Sequence, residues 1–251
     1  MRDVLRALGL WLILTFLGET AIILGVPFPP SMASEAQVVD RAFRYLLIVG
    51  APVFTFVLSV LLYSLFRFRA VGDPPEDGPP VFGHTTGALA WLIATSLLAL
   101  SLVIQPGIRG LMELKFIHPP SAVAADEDEE ALVVQVQARQ WSWLFTYPQY
   151  QIQVKDRLVL PLGRPVHFEI TSQDVVHSFW IPAFRLKIDA VPGRTTSLIL
   201  TPNQLGRTTL EPTLRVQCAE LCGTGHAAMI STVEVISADQ FAAWVDQQRK
   251  K

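Results

Sequence analysis

Two stretches without a charged residue set the first limit on what this chain can become. The first, YLLIVGAPVFTFVLSVLLYSLF (45–66), lies between Arg44 and Arg67, and the second, TTGALAWLIATSLLALSLVIQPGI (85–108), is closed by Arg109. A helix needs about 20 apolar residues to cross a hydrocarbon core of roughly 30 Å, and each stretch supplies them. A buried helix of a soluble protein is the alternative, but two such lengths in succession read as a transmembrane hairpin. Pro52 and Pro106 fit that reading, because membrane helices tolerate proline where neighbouring groups satisfy the freed backbone. Hydrophobic residues make up 51% of the chain and charged residues 17%, which excludes extended disorder. The net charge is −2, with no basic block beyond the Arg249-Lys250-Lys251 tail, so the basic face of a nucleic-acid-binding protein is missing.

The rest of the chain divides around this hairpin. Residues 1–39 carry a third apolar run, LGLWLILTFLGETAIILGVPF, after Arg2 and Arg6. With Ser31 and Ala33 downstream it has features of a secretory signal; its length and the interrupting Glu19 favour a retained extra helix. Glu19 then faces protein or water, since a carboxylate facing lipid is costly. The hairpin occupies 40–109. Its loop, RFRAVGDPPEDGPPVFGH, is a polar turn, and Arg67 and Arg69 place it on the cytoplasmic side, although Arg41 and Arg44 pull the other way. A linker, 110–130, ends in the acidic run Asp126 to Glu130, read as a solvated segment. From 131 to 237 come short segments rich in β-branched and aromatic residues: ALVVQVQARQWSWLFTY, RPVHFEITS, TTSLILTP, LRVQC and STVEVIS. Strands separated by turn residues, with no helices between them, predict a β-sandwich or barrel. Residues 238–251 form a terminal amphipathic helix, with Ser237 and Gln240 at capping-box spacing and Phe241, Trp244 and Val245 on one face.

The chemistry concentrates in VQCAELCGTGHAAMIS. Cys218, Cys222, His226 and Met229 follow the pattern C-x3-C-x3-H-x2-M, and the chain has only two cysteines. Thiolate, thioether and imidazole together select copper, and zinc rarely recruits methionine. His177, just after a predicted strand in SQDVVHSFWIP, is a further ligand candidate. Two other readings stand beside this one. The cysteines could form a disulfide, although their short spacing makes its geometry difficult. They could hold zinc with the two histidines, leaving Met229 as core packing.

The pattern resembles subunit II of the haem–copper cytochrome c oxidases. The family's C-x-E-x-C-x3-H-x2-M appears as Cys218, Glu220, Cys222, His226 and Met229, and its D-V-x-H-S-F as Asp174, Val175, His177, Ser178 and Phe179. Gln140, Trp141 and Trp143 match Q-W-x-W; Lys187, Asp189, Ala190, Pro192, Gly193 and Arg194 match K-x-D-A-x-P-G-R. The resemblance implies a membrane-anchored all-β protein, with N-terminal transmembrane α-helices followed by a cupredoxin-like Greek-key β-barrel. It implies a dinuclear copper centre bridged by Cys218 and Cys222, with one histidine, His177 or His226, on each metal. Met229 sulfur and the Glu220 carbonyl would be weak axial ligands. Trp141 would be the surface aromatic that receives electrons from cytochrome c. The Glu220 carboxylate would face a magnesium ion at the boundary with subunit I, where Asp189 and Arg194 would also lie. The implied function is electron relay to haem in subunit I, for oxygen reduction coupled to proton translocation. The implied partners are subunit I, subunit III, cytochrome c and lipid, in a bacterial inner membrane with the copper domain on the periplasmic side.

Departures from the family are specific. Where members commonly carry a glutamate three residues before the tryptophan of the second span, here Trp91, this chain has Ala88. Ser142 replaces a frequent tyrosine, and LFTYPQYQIQVKD has a single acid where donor docking usually finds several. No C-x-x-C-H haem-attachment motif is present. Alternatives of other classes are the electron-accepting subunit of a copper-containing nitric oxide reductase and a membrane-tethered copper carrier. Nitrous oxide reductase is disfavoured because its catalytic domain is histidine-rich and this chain has five histidines. A quinol-oxidase subunit is disfavoured because such relatives lose the copper ligands.

Overall fold

The structure is a computed structural model. It describes residues 1–25, 28–69, 72, 83–117 and 131–250, without the side chains of 115–117. Most of the 67–84 loop and the acidic run at 126–130 lie outside the described residues.

The helical unit comprises Met1–Pro27 and Arg41–Leu111. Among the described residues, three helices are long and apolar enough to cross a membrane. Helix α1 (Arg2–Gly25) runs antiparallel to α2 (Ser34–Arg67). The two are joined by polar side chains: Asp3 accepts from Tyr63 at 2.6 Å, and the Trp11 indole N–H donates to the Pro52 carbonyl at 2.8 Å. Thr15 and Thr55 exchange a hydroxyl bond at 2.7 Å. Such bonds suit an apolar setting, where an unpaired polar group has no water to turn to. Pro52 stays inside α2. Helix α3 (Thr85–Leu102) begins at His84, whose Nδ1 accepts the Gly87 N–H. The second apolar stretch behaves differently from the first. Its backbone leaves helical geometry at Gln105 (φ −130°, ψ 104°), because the residue before a proline is pushed to extended conformations. Helix then resumes as α4 (Arg109–Ile117), so part of the expected linker is helical. Glu19 is half-buried in this unit.

The second unit comprises Phe28–Asp40 and Met112–Lys251. Its core is a two-sheet β-sandwich. One sheet has the order β3-β2-β1-β5-β8, formed by Ile152–Lys155, Ser142–Tyr147, Leu132–Arg139, Val166–Ser172 and Thr196–Leu200. The other has the order β4-β11-β10-β6-β7, from Arg157–Pro161, Ile230–Ile236, Arg215–Cys218, His177–Ile181 and Leu186–Ala190, with β9 (Gly206–Arg207) beside β11. Pairs β1/β5 and β4/β11 are parallel, so the chain crosses between sheets, as a Greek-key cupredoxin-like fold requires. Alternation is strict in β5, where Val166, Phe168, Ile170 and Ser172 are buried, and β1 and β2 alternate likewise. Trp143, Phe145, Tyr147, Phe168 and Phe179 fill the space between the sheets. The Tyr147 hydroxyl is satisfied inside the core, donating to the Val159 carbonyl at 3.0 Å and accepting its N–H at 2.9 Å. Helix α5 (Ala238–Arg249) starts with the Ser237–Gln240 capping box and lays Phe241, Trp244 and Val245 onto the barrel, with Trp244 edge-on to Tyr147.

The segment Phe28–Asp40, which the sequence assigns to the N-terminal region, packs into this barrel instead. Met32 N–H donates to the Ala183 carbonyl, Ser34 N–H to Thr201, and Asn203 N–H returns to Met32. Glu35 accepts the Thr201 N–H at 3.0 Å, and Asp40 pairs with Arg185 at 2.8 Å. Met32, Ala33 and Ala36 are buried in the same core as the strands. A Cβ on Gly206 would lie 3.1 Å from Leu214 and closer still to the Met32 methyl, so the glycine makes room for the methionine.

Candidate metal centre

Strand β6 opens with His177, and β10 ends with Cys218, which pairs in register with Phe179. Antiparallel pairing therefore carries an imidazole and a thiol, 41 residues apart, to the same sheet end. The chain then loops from Ala219 to Met229. The Cys218 N–H bonds the Met229 carbonyl at 3.1 Å, and the Ala219 N–H bonds Ser178 at 3.0 Å, which pins both ends of the loop.

Inside this loop the donor atoms converge. Cys218 Sγ lies 3.8 Å from His177 Nδ1 and 3.7 Å from Cys222 Sγ. Cys222 Sγ lies 3.6 Å from His226 Nδ1 and 3.9 Å from Met229 Sδ. The Cys218 thiol donates to the Glu220 carbonyl at 3.1 Å. Both cysteines are free, and their sulfurs stand far beyond the roughly 2 Å of a disulfide. His177, Cys218 and Cys222 are buried with ligand atoms within 4.8 Å of one another, and Met229 is fully buried.

The donor set fits a soft metal. Two thiols, two imidazole nitrogens and a thioether, with a carbonyl at the rim, outnumber the four positions of a tetrahedral zinc site. Electrostatics agree. Burial pushes the Cys222 thiol up to about 12, and the hydrogen bond and charge of Cys218 push it the same way. Two thiolates here need a positive charge between them, which a bound metal supplies.

Trp141, expected on the surface, sits in the turn between β1 and β2. That hairpin splits what the sequence presents as one long segment. The indole is 41% exposed. Its N–H donates to the Cys222 carbonyl at 3.2 Å, beside the Gln140 amide at 2.9 Å. Glycines create the seat: a Cβ on Gly225 would overlap the indole, and one on Gly223 (φ +113°) would lie 3.2 Å from it. Trp143 lies in the core, edge-on to His177 and Phe179.

Other sequence candidates stand outside the cluster. The Glu220 side chain is exposed, so the residue offers its carbonyl to the sulfurs and its carboxylate to the outside. Asp189 is exposed on β7 opposite Ser178, and its carbonyl accepts from Thr196 at 2.7 Å. Arg194 is exposed in the following turn, where Gly193 adopts φ +71°.

Two residues that the motifs contain but to which the sequence assigns no role, Gln140 and Asp174, tie the turn to the cluster. Asp174 Oδ2 accepts the Gln140 N–H at 2.7 Å; its Oδ1 faces His177 Nε2 at 2.8 Å and accepts the Val175 N–H at 2.7 Å. Burial raises the Asp174 carboxyl, but these bonds outweigh it and hold the group down at about 2. Their only sequence signal is membership of the motifs.

The family described as cytochrome C oxidase subunit II, periplasmic domain, matches residues 149–236. The chain is 30% identical to cytochrome c oxidase subunit 2 of Thermostichus vulcanus, over 88% of this chain and 78% of that protein. It is 29% identical to the Synechocystis sp. subunit 2, over 86% and 74%. Among solved structures, the periplasmic domain of subunit II of cytochrome oxidase from Bradyrhizobium japonicum is 29% identical, with a TM-score of 0.44, covering 47% of this chain and 94% of that one.

Proposed function

The chain belongs to the cytochrome c oxidase subunit 2 family, and from that premise we propose that it is the electron-accepting subunit of a respiratory oxidase. It receives electrons from a reduced cytochrome c and passes them to haem in subunit I, where oxygen is reduced and protons are translocated. The observation that carries this reading is the convergence of the buried Cys218, Cys222, His177 and Met229 with the half-buried His226, beside an exposed tryptophan. Those five side chains, with the Glu220 carbonyl, would hold a pair of copper ions. When bound, the pair supplies a one-electron couple whose charge spreads over two metals.

The residues of the chain do the rest. Cys218 and Cys222 give up their protons to bind metal. The β6–β10 pairing and the two pinned loop ends fix the donors in place, so that little rearranges when the charge changes. Trp141 presents its ring to a donor and bonds the Cys222 carbonyl on its inner edge, a short covalent and hydrogen-bonded route to a ligand sulfur. The exposed Glu220 carboxylate, Asp189 and Arg194 face subunit I, with magnesium at the Glu220 carboxylate. Subunit III completes the assembly. The three apolar helices cross the bacterial inner membrane, and the barrel stands on the periplasmic side, where the donor is found.

The test uses the full chain in detergent, loaded with copper. Two coppers per chain, with hyperfine splitting shared equally by two nuclei in the electron paramagnetic resonance spectrum, are expected. One copper with ordinary splitting, or preferred zinc, defeats the reading in favour of a carrier. Trp141→Phe is expected to slow reduction by cytochrome c at least tenfold while leaving the copper spectrum intact; unchanged kinetics would remove its role.

A further inference from the structure

Asp174 lies outside the ligand set, yet it bonds a ligand histidine and the peptide that leads into Trp141. One oxygen of its carboxylate faces His177 on the ring nitrogen away from the sulfurs, at 2.8 Å, while Nδ1 points toward Cys218. The other oxygen accepts the backbone N–H of Gln140 at 2.7 Å, one residue before Trp141. The carboxylate is itself held. The Val175 N–H donates to it at 2.7 Å, and the Ser172 hydroxyl at 3.3 Å. Gln173 N–H bonds the Ala138 carbonyl at 3.0 Å, so the Asp174 turn is stitched to the end of β1 on the main chain as well.

We infer that Asp174 is a positioning residue that couples the electron-accepting turn to the metal ligand His177. This rests on the copper-pair reading above. It has two parts. A carboxylate at Nε2 keeps the proton on that nitrogen and leaves the Nδ1 lone pair free for metal, and it makes the imidazole a stronger donor. The same carboxylate anchors the peptide that carries Trp141, so the indole and the ligand imidazole are located by one group. The Gln140 amide and Trp141 N–H complete the frame by holding the Cys222 carbonyl from the other side. The turn is thus tied at once to a histidine ligand and to a cysteine ligand.

Substitution separates this coupling from mere folding. In Asp174→Asn the shape is kept, but one carboxylate oxygen becomes an amide that donates. Whichever way it turns, either the Gln140 N–H or the His177 N–H loses its acceptor, and a negative charge beside the ligand is gone.

The experiment compares the full copper-loaded chain, Asp174→Asn, Trp141→Phe and the double variant. It reads copper content, resonance spectrum, reduction potential and the stopped-flow rate of reduction by a soluble ferrous cytochrome c. The expected result for Asp174→Asn is two coppers retained, a potential shifted upward, and altered hyperfine sharing. Reduction should nevertheless be at least tenfold slower, although the higher potential alone would speed it. In the Trp141→Phe background the same substitution should slow reduction little further, because the two residues act through one turn. Wild-type potential, spectrum and rate in Asp174→Asn overturn the coupling, as does an additive double variant. Loss of both coppers in Asp174→Asn also overturns it, because the residue would then be a requirement of folding. A wild-type chain that fails to hold two coppers instead defeats the copper-pair reading, an outcome visible before any variant is made.

Discussion

The Cys218–Met229 loop and the Phe28–Asp40 strap close opposite ends of β6 by opposite means. The loop gathers donor atoms: sulfur faces sulfur at 3.7 Å, and a buried thiol keeps its proton far above neutrality. The strap is held by ordinary hydrogen bonds and packing. Its backbone pairs with Ala183, Thr201 and Asn203, its acids are met by an N–H and by Arg185, and Met32 plugs a hole that Gly206 leaves open. On the proposed reading, one end of the barrel is stabilised conditionally, by metal, and the other unconditionally, by packing. Fixed packing at one end leaves the other free to be organised around chemistry.

The contrast is broken most completely by Cys222→Ser. It is expected to abolish binding of the copper pair, and with it the metal-linked stabilisation, which at a thousandfold excess over the dissociation constant is about 4 kcal/mol. Metal analysis and thermal melts with and without copper check this. Met32→Ala comes next, with an expected loss of about 2–4 kcal/mol from a buried side chain in a tight slot. The loss should be equal in the metal-free and copper-loaded protein, because the strap and the loop lie at opposite ends of β6. Unequal losses in chemical denaturation would show that the two ends communicate.

A smaller effect sharpens the comparison through pH. The folded state holds the Cys222 proton more tightly than the unfolded chain does, so the metal-free fold keeps this contribution below about pH 9. It should lose it progressively as pH rises toward about 12. Copper-loaded protein, already deprotonated there, should lack that decline. Below the thiol range, copper affinity should rise about tenfold per pH unit from this proton alone. A pH-independent affinity would show that the thiol is ionised before metal arrives. Met229→Leu should have the least effect, leaving the copper count intact and shifting only the potential and the rate of transfer to haem; no change in either would make Met229 packing alone.

These differences also explain what could be read from sequence. The Cys218–Met229 loop is legible because its chemistry is local: its donors lie within one short segment, and only His177 arrives from elsewhere. The barrel is legible from alternation in β1, β2 and β5, and the apolar helices from uncharged length. The β1–β2 turn is hidden, because ARQWSW contains no glycine, proline or asparagine to mark it. The reach from Gln140 to Asp174 spans 34 residues and depends on strand pairing that no local pattern encodes. The strap is hidden for the same reason. Met32, Ala33 and Glu35 look like the start of a helix, and their partners stand beyond residue 180.

The strap has a consequence in time. Glu35 and its partner Thr201 are 166 residues apart. At ribosomal rates of about 5–20 residues per second, the strap waits roughly ten to thirty seconds for the strands that receive it. During that wait Met32 has no pocket and Glu35 no amide. The barrel then closes around a segment laid down before it, and the earliest part of this unit to be synthesised is held in waiting for partners made more than 140 residues later.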